Sequence, residues 1–265
     1  MGAGDIAACD REGRAGITAD LVQSQAPASA IVFTTGDDAY PKGTPEDFRR
    51  CYEPTWGVFR DRTRPAAGNH EWKTGTVDGY RGYFGAAAGD AGVTWYAYDA
   101  GTWRVIVLDS ECDKVGGCGS DSPQGRWLAA ELAAHPAACS LAIWHRPRYS
   151  SGTKHGSDPA VAPLFSTAAA AGVDLVLNGH EHSYERFGRL AADGSPDPAG
   201  IREIVVGTGG AEAYPFGKPL PGSEVRVTDV PAVVVLQLSP GSYAWTLVGG
   251  TGAEVLDTGS DTCRP

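Results

Sequence analysis

Short apolar, β-branched runs recur along the chain, and each ends in a polar, glycine-containing block. Residues 31–35 (IVFTT) lead into Gly36-Asp37. Residues 104–109 (RVIVLD) stop at Asp109, and 140–144 (SLAIW) lead into His145. Residues 173–177 (VDLVL) lead into Asn178-Gly179-His180, and 203–210 (EIVVGTGG) follow the same habit. Runs that are apolar throughout rather than alternating suit strands buried on both faces. Side chains that follow the ends of such strands share one rim of an open α/β sheet, where binding sites form.

Helical patterns fall between the strands. Ser122 is placed to cap a helix that runs through Trp127, Leu128 and Leu132 and stops before Pro136. Pro159 to Ala171 is alanine-rich and ends at Gly172, a C-terminal cap. Residues 232–249 read as a hairpin turning at Pro240-Gly241, and residues 191–200 and 215–224 as surface loops. No interdomain linker is evident. The expected fold is a single α/β domain over residues 1–265, with two packed mixed β-sheets, helices outside and a closing antiparallel hairpin.

Length and composition narrow the class. A chain of 265 residues with 42% hydrophobic content can bury a sizeable core. No apolar run approaches the roughly 18 residues that suggest a membrane helix. The net charge of -10 argues against a nucleic-acid backbone as partner. It also leaves an anionic substrate dependent on local cations such as bound metal. Met1 stands only four residues before Asp5, so a targeting segment is expected ahead of the first strand.

Six cysteines, without a CxxC pair, point to disulfides in an oxidising compartment rather than to a zinc thiolate site. A secreted, extracellular or periplasmic protein is therefore expected. Cys112 and Cys118 flank a short loop and close easily. Cys9 and Cys51 both lie on loops after site strands, which favours pairing them and leaves Cys139 with Cys263.

Five of the six histidines fall in or near the strand-end blocks, and only His135 lies apart. In order, the blocks are GDIA at Asp5, GDDAY at Asp37 to Tyr40, GNHE at Asn69 and His70, AIWH at His145, and GHEH at His180 and His182. Each block alone is ambiguous. A Gly-Asp pair is more often a turn, Asn69 can simply supply a positive φ, and a histidine after a strand is often a satisfied rim residue. Together, carboxylates and imidazoles converging on one rim suit transition ions, and a carboxylate can bridge two of them.

The ordered set GDxG, GDxxY, GNHE, VxxH and GHxH resembles the calcineurin-like metallophosphoesterases, and more narrowly the purple acid phosphatases. The departures are Ala7 for glycine in the first motif and Ala142 for valine in the fourth. The resemblance implies an enzyme that hydrolyses phosphoric esters with two metal ions. Asp5, Asp37, Tyr40 and His182 would hold Fe(III). Asp37 would bridge to a second ion, iron, zinc or manganese, held also by Asn69, His145 and His180.

The resemblance further implies in-line attack on phosphorus by a hydroxide drawn from water that the two ions acidify. His70 would contact the phosphoryl oxygens or protonate the leaving group. His155 matches a second family histidine ten positions after His145, although the family often has two histidines where this chain has Lys154-His155. Asp38, Glu71, Glu181 and Arg186 are expected in supporting roles. The implied substrates are small phosphate esters, monoesters foremost. A diesterase, a phytase and a non-catalytic extracellular metal-binding protein remain as alternatives. Substrate choice would rest on the loops at 73–95 and 211–224.

Overall fold

The computed structural model describes residues 1–9 and 14–264. Among the described residues, thirteen strands form two sheets. The first sheet contains β1 (Gly2–Ala3), β2 (Val32–Thr34), β3 (Thr63–Arg64), β11 (Ala232–Ser239), β12 (Ser242–Gly249) and β13 (Glu254–Thr262), in the order β13-β12-β11-β1-β2-β3. The second contains β4 (Tyr96–Ala100), β5 (Trp103–Val107), β6 (Cys139–Ile143), β7 (Leu175–Asn178), β8 (Tyr184–Leu190), β9 (Ile201–Val206) and β10 (Ser223–Val227), in the order β10-β8-β9-β7-β6-β5-β4. Both sheets are mixed. β1, β2 and β3 run parallel, as do β5, β6, β7 and β9, while the outer strands pair antiparallel.

The α-helices are α1 (Arg14–Gln25), α2 (Pro45–Asp47), α3 (Asp78–Phe84), α4 (Pro123–Ala134) and α5 (Ala162–Ala170). Two apolar layers explain the unbroken hydrophobic runs. Val105, Val107, Leu141, Ile143, Leu175 and Leu177 point into the core shared with Ala3, Val32, Phe33 and Val234 of the first sheet. The residues between them, Ile106, Ala142, Trp144 and Val176, face the opposite way, against Leu128 of α4 and Leu164, Phe165 and Ala168 of α5. A strand period of two then puts an apolar residue at every position. Helix α1 packs on β11 and β12 of the other sheet, completing two mixed sheets flanked by helices.

Local sequence signals act as expected in most places. The Ser122 side chain caps α4 by accepting from the Gly125 amide, and the helix stops at His135, before Pro136. The Pro159–Ala171 segment begins as a 3-10 turn, Pro159–Val161, and continues as α5 to a left-handed Gly172. The β11–β12 hairpin turns at Pro240-Gly241, with Ser239 opposite Ser242. One boundary differs: Ser223 and Glu224, expected in a loop, belong to β10, because Ser223 pairs with Phe187 of β8 and Glu224 lies at the register shift between Ser223 and Val225. The disulfides join Cys9 to Cys51, Cys112 to Cys118 and Cys139 to Cys263. Among the described residues no helix is long and apolar enough to cross a membrane.

Candidate metal centre

The five blocks follow the C-terminal ends of β1, β2, β3, β6 and β7. Because β1, β2 and β3 run parallel in one sheet and β6 and β7 in the other, the blocks meet where the sheets close on each other. The seam is drawn tight by backbone bonds between the end of β1 and the end of β9: Gly4 N donates to Val206 O and Gly209 N to Gly4 O, each at 2.9 Å, and Ala211 N to Asp5 O at 2.8 Å. The approach explains two glycines. A Cβ on Gly36 would lie 2.6 Å from His145 Nδ1, and one on Gly179 would lie 2.6 Å from Asp5 Oδ2.

Asp5, Asp37 and His180 all hold left-handed backbone, with φ of 57°, 54° and 70°. That conformation costs about 1–3 kcal/mol at a non-glycine residue and persists only where the surroundings impose it. Here the imposing groups are hydrogen bonds. His180 N donates to Asp5 Oδ2 at 2.8 Å. The Glu71 carboxylate accepts from the amides of Asp37 and Asp38 at 2.9 Å each, of Gly68 at 2.8 Å and of Ala39 at 3.3 Å. His70 N donates to Asp37 Oδ1 at 2.7 Å, which turns Oδ2 toward the centre.

The candidate ligands fall into two groups that share one oxygen. Around the first, Tyr40 Oη lies 3.0 Å from Asp5 Oδ1, 3.2 Å from Asp37 Oδ2 and 3.1 Å from His182 Nε2, and His182 Nε2 lies 3.3 Å from Asp5 Oδ1. Around the second, His145 Nε2 lies 3.3 Å from the same Asp37 Oδ2, 3.2 Å from Asn69 Oδ1 and 3.1 Å from His180 Nδ1. All seven residues expected from the sequence are brought together.

The chemistry of this set fits cations. His145 Nδ1 faces Thr35 O at 2.9 Å and His182 Nδ1 faces Glu212 O at 2.5 Å, so each ring keeps its proton outward and turns a bare Nε2 inward. Lone pairs then face lone pairs at van der Waals distance or less, an arrangement that a cation relieves. In the metal-free protein a proton does this instead. Burial disfavours charge on His145, but Asp37 outweighs it and pushes the imidazole up to about 10. Burial likewise opposes ionisation of Asp37, and His145 with His70 holds its carboxyl well below the usual range. Burial, with Asp37 and Asp5 beside it, keeps the Tyr40 phenol protonated far above its ordinary value. His180 is pushed down, by burial first and then by His145 and Arg146.

His70 lies beside this set. Its Nδ1 is 2.7 Å from Pro41 O, its ring lies against Tyr40 at 4.1 Å, and its Nε2 is 3.8 Å from Asp37 Oδ2. His155 stacks on His180 at 4.0 Å. Two residues carried no motif signal. Tyr214 stacks on His182 at 3.9 Å and meets the edge of His155 at 5.6 Å. Arg146 sits 3.3 Å from His180 Nε2, held by Glu111 at 2.5 Å and 3.0 Å. Adjacency to His145 was the only hint for Arg146, and position in the 211–224 loop the only one for Tyr214. Arg186 lies away from the centre, paired with Asp257 at 2.7 Å.

Two mixed sheets between helices, with an Asp/Asn/His/Tyr cluster at their seam, define a metallophosphoesterase. The profile of the calcineurin-like phosphoesterases matches residues 3–184, and the chain belongs to that family. Within it, the likeness is to the purple acid phosphatases. Purple acid phosphatase 15 of Arabidopsis thaliana is 28% identical over 66% of this chain and 36% of its own length. Acid phosphatase type 7 of Homo sapiens is 30% identical over 69% of this chain and 48% of its own. The matched region is thus half or less of these relatives. The fold of purple acid phosphatase PPD1 from yellow lupin seeds superposes with a TM-score of 0.80 at 18% identity, over 99% of this chain and 53% of that one. GAP50, the anchor in the inner membrane complex of Plasmodium, superposes with 0.75 at 18% identity, over 100% of this chain and 88% of that one.

Proposed function

We propose that residues 1–265 form one catalytic domain that hydrolyses phosphoric monoesters at a centre of two metal ions. The observation that carries this reading is the single oxygen, Asp37 Oδ2, that faces both groups of donors, 3.2 Å from Tyr40 Oη and 3.3 Å from His145 Nε2. Asp5, Asp37, Tyr40 and His182 would hold one ion, and the phenol oxygen of Tyr40 favours iron(III) there. Asp37, Asn69, His145 and His180 would hold the other, iron, zinc or manganese. When bound, two such ions supply an acidified water as nucleophile and Lewis-acid stabilisation of the phosphoryl oxygens.

The chain's own groups handle the rest. His70 keeps its Nδ1 proton on Pro41 O and so turns Nε2 toward the centre. Protonated at acid pH, that nitrogen donates to a phosphoryl oxygen. His155, on an exposed loop and stacked on His180, reaches the leaving-group side and donates a proton to the departing oxygen. With a net charge of -10, attraction of a small phosphate ester falls to the ions and nearby cations, and the same charge disfavours a nucleic-acid backbone. Three disulfides and the absence, among the described residues, of a membrane-crossing helix support a secreted, extracellular or periplasmic location.

The fold is shared with an anchor protein, so the fold alone does not decide for catalysis. The filled donor set does support it. The test is elemental analysis of the purified protein together with rates on p-nitrophenyl phosphate, bis(p-nitrophenyl) phosphate and inositol hexakisphosphate. Two ions per chain and a preference for the first ester are expected. Preference for the second or third ester would make it a diesterase or phytase. A metal-loaded protein that turns over none of them would be a binding protein.

A further inference from the structure

The loop that carries His155, residues 146–157, has little regular structure of its own, yet its backbone is fixed at three points by buried glutamates. Glu203 on β9 accepts from Arg148 N at 2.8 Å and Tyr149 N at 3.1 Å. Glu185 on β8 accepts from Ser151 N at 2.7 Å and Ser151 Oγ at 2.5 Å. Glu181, between His180 and His182, accepts from His155 N and Gly156 N, both at 2.5 Å and both on Oε1. The Glu181 side chain is fully buried, and a Cβ on Gly152 would overlap its carboxylate, so the loop backbone is folded directly over it.

The third fixing point differs from the other two. Glu203 and Glu185 tie the loop to the sheet. Glu181 ties it to the same short segment that supplies two candidate ligands, and the amides it receives are those of His155 and its neighbour. A carboxylate in a buried site accepts amide hydrogens strongly, so the position of the His155 backbone is set by the segment that sets His180. The stacking of the two rings at 4.0 Å is the consequence.

We propose that Glu181 is a positioning residue that holds His155 against the metal centre and does not itself support the metals. This inference rests on the proposed role of His155 at the leaving group. Glu181→Ala frees two amides and the loop, and a displacement on the order of 1 Å at a reacting group costs about 10²-fold in rate. The expected result is a fall of that order in kcat on p-nitrophenyl phosphate, a small change in KM and unchanged metal content. Glu181→Gln keeps an oxygen where Oε1 stands and is expected to recover most of the rate. The double variant Glu181→Ala/His155→Ala is expected to be no slower than His155→Ala.

Metal loss in Glu181→Ala, or losses that multiply in the double variant, would overturn the proposal. If Glu181→Ala does not fold, Glu181→Asp, which is too short to reach both amides, replaces it in the same comparison. Should His155→Ala alone keep the wild-type rate, the role given to His155 fails. Crystal structures of wild type and the Glu181 variant then decide the positioning by themselves: a His155 ring that leaves its stack on His180 upholds it, and a ring that stays refutes it.

Discussion

His145 Nε2 and Asp37 Oδ2 lie 3.3 Å apart at the seam of the two sheets, both buried. Without metal, the proton between them is what keeps these inward-facing donors from repelling one another.

That pair gives the metal-free protein a definite pH dependence. His145 titrates near 10 when folded, against about 6.5 when unfolded. Its contribution is therefore complete below about pH 6.5 and lost as pH rises through 10. Asp37 is depressed, so its contribution is present above about pH 3.9 and lost as pH falls. Thermal melts of chelator-stripped protein should show greatest stability from roughly pH 4 to 6.5. His145→Ala should remove most of the decline between pH 6.5 and 10, and an unchanged decline would mean the pair is not the source.

His145→Ala and Asn69→Ala should each lower occupancy of one metal, whereas His70→Ala should keep both metals and lose turnover. His70 Nε2 stands 3.8 Å from Asp37 Oδ2, outside the closer spacings of the other donors. A proton-donating or electrostatic group of this kind is worth roughly 10²- to 10⁴-fold. Metal analysis alongside kcat separates the two classes. Loss of metal in His70→Ala would make it a ligand, and full turnover would remove it from the reaction.

Tyr40→Phe tests the metal assignment by colour. If the Tyr40 oxygen meets iron(III) as phenolate, oxidised iron-loaded protein should absorb visible light through oxygen-to-metal charge transfer. The variant should lose that band at matched iron content and keep part of its activity. Colourless wild type holding two irons would put Tyr40 outside the coordination sphere and move the ions toward manganese or zinc.

Glu71→Ala should both destabilise the fold and empty the site. It removes the acceptor for the amides of Asp37, Asp38 and Gly68, all within 2.9 Å, and each buried amide left unpaired costs about 1–3 kcal/mol. A loss of at least about 3 kcal/mol in denaturant unfolding is expected, with reduced metal uptake. A change below about 1 kcal/mol would mean that water replaces the carboxylate without strain.

Much of the site is legible in the sequence. Asp37, Tyr40, His145, His180 and His182 sit in short blocks at the ends of apolar runs, and parallel strands place such ends on one rim; Asp5 and Asn69 follow two-residue strands with no such run, and their motifs alone marked them. The fold class followed from the same runs. Less was readable where local signal is weak. Strand β4 is half-exposed and β13 largely polar and exposed, so neither reads as a buried run. Ser223 and Glu224 have no strand signature and join β10 because β8 offers Ser223 a partner in Phe187 and Glu224 is carried along at the irregularity before Val225.

The sequence by itself determined the strand-end blocks, the α4 cap at Ser122, the hairpin at Pro240-Gly241 and the order of the metal-type residues, because each depends on neighbours a few positions away. The tertiary structure alone decided which oxygen of Asp37 faces both donor groups, how Glu71 forces its left-handed backbone, and that Tyr214 stacks on His182. It also decided that Glu181 reaches the amide of His155, 26 residues away. Those contacts arise from two sheets closing on each other, and the distance across that seam is set by packing rather than by any local run of residues.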